Sequence, residues 1–199
     1  MRKHLPFLSF LSGSFLLAGA AFAQADNNFA YAITDAPNQT NGWMQLRVLN
    51  MGTGTYSGAL INGMAANQVA FDAFTKKQYV AGASVNQMGF PEQPAFSSGV
   101  AALAFDQKNG RIWYTPMFID QLRYIDLKTQ QVYYVTVPFT GRPVKSTDQG
   151  NIVTRMVIAA DGYGYALTND ATQLIRFNSG KSLAAEDLGA IVDDPANNG

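Results

Sequence analysis

The chain has no cysteine and a single histidine, His4. These two absences exclude more chemistry than any residue present establishes. Beyond position 4, Ser-His-Asp and Cys-His nucleophilic catalysis is excluded. So are His or Cys zinc sites, iron–sulfur clusters and His-ligated haem. No disulfide can staple the fold, so its stability must come from packing. Glutamate is nearly absent, with only Glu92 and Glu186. A carboxylate pair for glycoside hydrolysis would have to come from aspartates such as Asp120 and Asp170, which nothing in the sequence selects. Charged residues make up only 14% of the chain, with a formal net charge of zero and no basic run. Nucleic acid is therefore not an expected partner, and no polybasic patch points to a lipid surface. What remains is oxygen-ligand chemistry, in which calcium is the one cofactor left open.

The one long apolar run lies at the N-terminus. Arg2, Lys3 and His4 precede Leu5–Phe22, and Ala21-Phe22-Ala23 supplies the small residues of a cleavage site. Residues 1–23 read as a secretory signal peptide of bacterial type. The run is short and broken by Ser12, Gly13 and Ser14, which argues against a transmembrane anchor. The lack of cysteine excludes a lipoprotein anchor. A secreted or periplasmic domain of residues 24–199 is expected, free of the membrane after cleavage. Without Arg2 and Lys3 it carries 12 basic and 14 acidic residues, a net charge of −2. The sequon Asn38-Gln39-Thr40 reads as chance in this context.

What the chain does have is repetition. The phrase Gln45-Leu46-Arg47-Val48-Leu49-Asn50 returns as Gln121-Leu122-Arg123-Tyr124-Ile125-Asp126 and as Gln173-Leu174-Ile175-Arg176-Phe177-Asn178. Val69–Asp72 matches Leu103–Asp106, and Gly110, Trp113, Gln121 and Leu122 match Gly162, Tyr165, Gln173 and Leu174 at one common offset. Repetition of this kind means one supersecondary unit copied and stacked. Within each unit, aromatic and β-branched residues alternate with polar ones, and Asn109-Gly110 and Asp161-Gly162 supply hairpin turns that accept positive φ. The units predict four-stranded antiparallel meanders near residues 29–62, 65–98, 100–140 and 152–191. The first lacks an opening strand, and residues 83–98 of the second read as loop. No amphipathic helix is expected.

The lines Leu103-Ala104-Phe105-Asp106, Gly110-Arg111-Ile112-Trp113-Tyr114-Thr115 and Leu122-Arg123-Tyr124-Ile125-Asp126 resemble the blade cadence of secreted bacterial β-propeller repeat proteins. The resemblance covers about residues 29–191 and implies an all-β fold of blades, not a specific activity. Three and a half to four blades fall short of the number that closes most propellers, so an incomplete propeller is the expected architecture. An open blade face that left about 500 Å² of apolar surface in water would forgo about 12 kcal/mol, which rivals a domain's whole stability. A compact four-blade ring, a two-sheet sandwich, or an array completed by an oligomer or by further blades are the other readings.

In a propeller the loops between second and third strands, and those from one blade to the next, gather on one rim. That placement makes Asp35, Asn38, Trp43, Phe118, Asp120, Arg142, Asn169 and Asp170 the candidate ligand-binding residues. Trp43 and Phe118 could stack on a sugar or a peptide, and the aspartates and amides could hold calcium, although the same side chains commonly make turns. Three functions are consistent with this rim. The first is a non-catalytic module that binds a small molecule, glycan or protein. The second is a calcium-assisted hydrolase or lactonase. The third is a structural piece that assembles with another chain across open blade faces.

Overall fold

The structure, a computed structural model, describes residues 28–38, 42–65, 68–80, 91–145 and 147–197. The expected signal peptide lies outside them. Strands form where the alternation is regular and stop where Gly, Asn and Asp cluster. Three sheets result, each built from chain neighbours.

The first sheet contains β1 (Phe29–Thr34), β2 (Gln45–Asn50), β3 (Thr55–Tyr56) and β4 (Ile61–Asn62), with β3 and β4 both paired to β2. The second contains β5 (Ala70–Asp72), β6 (Val100–Asp106), β7 (Arg111–Pro116), β8 (Arg123–Asp126) and β9 (Gln131–Tyr134), in the order β5-β9-β8-β7-β6. The third is the meander of β10 (Val153–Ile158), β11 (Tyr163–Thr168), β12 (Leu174–Asn178) and β13 (Ala185–Asp187). A single 3₁₀ turn, Pro195–Asn197, is the only helical element among the described residues.

Two details depart from the sequence reading. Residues 65–98 form no sheet of their own among the described residues. Instead β5 adds to β9 as a parallel outer strand, Ala70 opposite Val132. Gln78 makes only an isolated bridge to Phe71. The last strand of the first unit is split into β3 and β4 because Ser57 interrupts it. The Ser57 hydroxyl, not a carbonyl, accepts the Val48 N–H at 3.0 Å, and the ladder resumes only where Leu60 N–H reaches the Leu46 carbonyl.

The second sheet is buried on both faces, as a strand period of two makes possible. Ile112, Tyr114, Ile125, Val132 and Tyr134 face the first sheet and pack with Leu46, Ile61 and Phe96. Trp113, Leu122, Tyr124 and Val135 face the third and pack with Ala166, Ile175 and Phe177. Trp113 is fully buried, its ring 4.8 Å from Tyr124 and 5.3 Å from Phe177. Phe177 in turn requires Gly164, where a Cβ would meet the ring at 2.0 Å. Along the inner edge β6 contacts both β10 and β1, while no strand of the first sheet contacts the third. The fold is therefore all-β, made of antiparallel propeller-type blades side by side in an open arc.

The arginines of the repeated phrase take different places. Arg123 is fully buried between the first two sheets. Its guanidinium donates to the carbonyls of Ala95 (2.7 Å) and Glu92 (3.2 Å) and to Gln121 Oε1 (2.7 Å). It also stacks 3.8 Å from the Tyr134 ring centroid. Arg47, at the same position of the first sheet, also reaches its own glutamine, Gln45 Oε1, at 2.5 Å. In the third sheet Ile175 stands at that position, and Arg176, one residue later, turns to the opposite face to pair with Glu186 at 2.5 Å.

Candidate functional site

The loops that enter β2, β6, β8, β10 and β12 all lie at one end of the arc, because antiparallel pairing alternates strand direction. Trp43 is placed there by Asp35. The Asp35 carboxylate accepts the backbone N–H of Gly42 (2.6 Å) and of Trp43 (2.8 Å), which clamps the two ends of the β1–β2 loop together. Trp43 is held at φ 44°, a conformation a bulky side chain rarely adopts. Its carbonyl accepts the Val100 N–H at 3.3 Å, which ties this loop to the start of β6. The indole is left 40% exposed.

Trp43 forms one wall of a cleft of about 340 Å³ whose other lining residues are Val100, Ala101, Met117, Gln149, Ile152 and Thr154. Its walls come from all three sheets: the β1–β2 loop, the start of β6, the end of β7 and the start of β10. The lining is apolar apart from the Gln149 amide and the Thr154 hydroxyl, and none of these residues is charged at any ordinary pH. The volume falls in the range of small-molecule sites. A second cavity, of about 420 Å³, opens at the other end of the arc between the β6–β7 and β10–β11 turns, beside Gln107, Lys108 and Ala160. It has no exposed aromatic ring in its lining.

Of the remaining sequence candidates, Asp120, Arg142 and Asp170 form a hydrogen-bonded string beside the cleft. Asp120 is buried, and its two oxygens accept the N–H groups of Thr140 (2.7 Å) and Gly141 (2.9 Å). Burial holds its carboxyl above the ordinary value, against those hydrogen bonds, which pull it down. Arg142 donates to the Thr172 hydroxyl at 2.8 Å and lies 3.8 Å from Asp187. Asp170 Oδ1 accepts from the Thr172 N–H (3.1 Å), the Thr172 hydroxyl (2.9 Å) and the Thr168 hydroxyl (2.8 Å). The Thr172 N–H leads the hydrogen bonds that hold this carboxyl low. Asn169 Oδ1 is 3.5 Å from the hydroxyl of Thr154, which lines the cleft. The Phe118 N–H donates to Ser98 Oγ at 3.2 Å, and Asn38 sits exposed in the β1–β2 turn at φ 64°.

The structure thus places Trp43 and Asp35 at the cleft and Asn169 at its rim. Asp120, Arg142 and Asp170 are joined to one another through Thr140–Arg142 and Thr172. The carboxylates of Asp35 and Asp170 serve the backbone of their own loops, and that of Asp120 holds the loop after β9. Among the described residues no three acidic or histidine side chains converge on a common point. Val100, Ala101, Met117, Gln149, Ile152 and Thr154 were not picked out by sequence. They carry no chemical signature and become a site only when three sheets bring their ends together.

No protein-family model matches the chain, and no curated protein does. Solved structures that resemble it do so at low identity. The chain is similar to hydrazine synthase from Kuenenia stuttgartiensis at 9% identity over 73% of this chain and 29% of that one, with a TM-score of 0.39. It is similar to virginiamycin B lyase from Staphylococcus aureus at 14% identity over 86% of this chain and 59% of that one, with a TM-score of 0.41. A putative 6-phosphogluconolactonase from Bacteroides uniformis matches at 12% identity over 79% of this chain and 42% of that one, with a TM-score of 0.38. The chain spans less than two thirds of the length of each of these proteins.

Proposed function

We propose that this chain is an exported binding module that takes a neutral ring-bearing ligand, of which a sugar is the best-matched class, in the cleft beside Trp43. The observation that carries the reading is the pinned, 40% exposed indole of Trp43 facing an uncharged cleft. An aromatic face presents apolar area at low entropic cost to the C–H face of a sugar ring. Gln149 and Thr154 supply the neutral donors and acceptors that a hydroxylated ligand needs, and the absence of charge disfavours anionic substrates. No lining residue is a nucleophile activated by a base or a titratable acid, which favours binding over turnover.

Calorimetric titration with neutral oligosaccharides tests this. At least one is expected to bind the wild type. Trp43→Ala is expected to lose about fivefold or more, since stacking of this kind is worth about 1 kcal/mol or more. Binding that survives Trp43→Ala undiminished, or a strict preference for charged ligands, would place the site elsewhere.

A further inference from the structure

The outer faces of the first and third sheets are complementary copies of faces that already meet inside the molecule. On β1 the outward residues are Ala30, Ala32 and Thr34, since Tyr31 and Ile33 pack inward on the second sheet. On β11 the inward residues are Gly164, Ala166 and Thr168, all buried. The two strands are near copies, Phe29-Ala30-Tyr31-Ala32-Ile33-Thr34 and Tyr163-Gly164-Tyr165-Ala166-Leu167-Thr168. The small, small, threonine row of β11 is the floor on which Trp113, Leu122 and Tyr124 of the second sheet pack. The first sheet therefore presents the same floor to the outside.

The third sheet presents the matching set. Tyr165, Leu174 and Arg176 stand at the Trp113, Leu122 and Tyr124 positions, and the register puts Val157, Tyr165, Arg176 and Glu186 in one outward row. Val157 is 56% exposed there, and Leu188, in line with Leu174, is 47% exposed.

The first sheet's outer face also carries unmet polar groups. Gln45 and Arg47 repeat the Gln121–Arg123 hook, which in the second sheet clasps the carbonyls of Glu92 and Ala95. Arg47 Nε and Thr34 Oγ1 are buried without a hydrogen-bond partner. Buried polar groups without a hydrogen-bond partner are rare in folded proteins and costly.

We propose that a second copy of this chain docks head to tail, the outer face of its third sheet on the outer face of the first. The joint is heterologous, and such joints close into a ring when the rotation per chain allows. Two chains, each with three sheets among its described residues, give six blades and two identical joints, within the four to eight blades that propellers use. The proposal is independent of the ligand cleft, which lies on the loop end and not on either outer face.

Native mass spectrometry and sedimentation velocity of the full chain test it, with two variants, Ala32→Arg on the first face and Val157→Arg on the third. The wild type is expected at twice the single-chain mass. Each variant alone is expected at the single-chain mass with an unchanged circular dichroism spectrum. An equal mixture of the two variants is expected to regain a two-chain species, because one of its joints pairs two intact faces. A wild type that stays at the single-chain mass, a dimer that persists in either variant, or a mixture that remains single-chain overturns the proposal.

Discussion

At the scale of single residues, the carboxylates of this molecule act mainly on its own backbone. Asp106 is the most buried example. It accepts the Asn109 N–H (3.0 Å), the Asn109 side-chain amide (2.7 Å) and the Trp113 indole N–H (3.3 Å). Burial raises its pKa, but these bonds together with Ser179 outweigh burial and set it below the ordinary aspartate value. A carboxyl whose folded value is lowered contributes stability that is present above the unfolded value and is lost as pH falls through the folded one. Urea unfolding from about pH 6 down to about pH 2 should therefore show an acid limb that is shallower in Asp106→Asn. That variant should also cost about 1–3 kcal/mol at neutral pH, because buried donors lose their acceptor. An unchanged acid limb would mean that Asp106 is not the group that titrates. The turn role of Asp106 and Asp161 was legible from Asn109-Gly110 and Asp161-Gly162. The packing role of Trp113 was legible from its place in a strand. The indole's bond to Asp106 was not, because only folding brings the hairpin turn back over the ring.

At the scale of elements, the repeated phrase turns out to be a device for joining blades. In the β8 copy the leucine packs toward the third sheet and the arginine toward the first, so that single strand seats two interfaces. Arg123→Ala should cost about 3–5 kcal/mol, as expected when a buried charge–carbonyl cluster loses its cation. Arg176→Ala should leave the unfolding midpoint unchanged within error, since its pair with Glu186 is solvent-exposed. Equal losses at both positions in thermal unfolding would contradict the assignment of faces. The one-residue offset of Arg176 in its phrase was visible in the sequence and correctly separates it from Arg47 and Arg123. The pairing of β5 with β9, where a separate blade was expected, was not visible. Val69–Asp72 copies Leu103–Asp106, so its pattern reads as an opening strand. Yet Ala70–Asp72 finds its hydrogen bonds on β9, in parallel, which no local pattern encodes. The kinship of β1 with β11 was there to be read in two six-residue strings, but the loops that follow them differ in length and shift the offset.

At the scale of the whole molecule, the three sheets of the described residues form an arc with a cleft at its loop end and an outward face on the first and the third sheet. The end of the arc at which the Trp43 and Asn169 loops lie follows from blade topology alone, so their shared position was legible in the sequence. The apolar half of the cleft could not be named, because Val100, Met117 and Ile152 look like ordinary core residues until their strand ends meet. The account depends on Trp43 being the ligand-facing tryptophan and Trp113 the buried one, and the two indole N–H resonances separate these roles directly. In a two-dimensional ¹H–¹⁵N spectrum titrated with a bound oligosaccharide, the Trp43 indole signal should move while that of Trp113, held by Asp106, stays in place. A titration that shifts Trp113, or residues of the outer sheet faces, and leaves Trp43 unmoved would contradict the account.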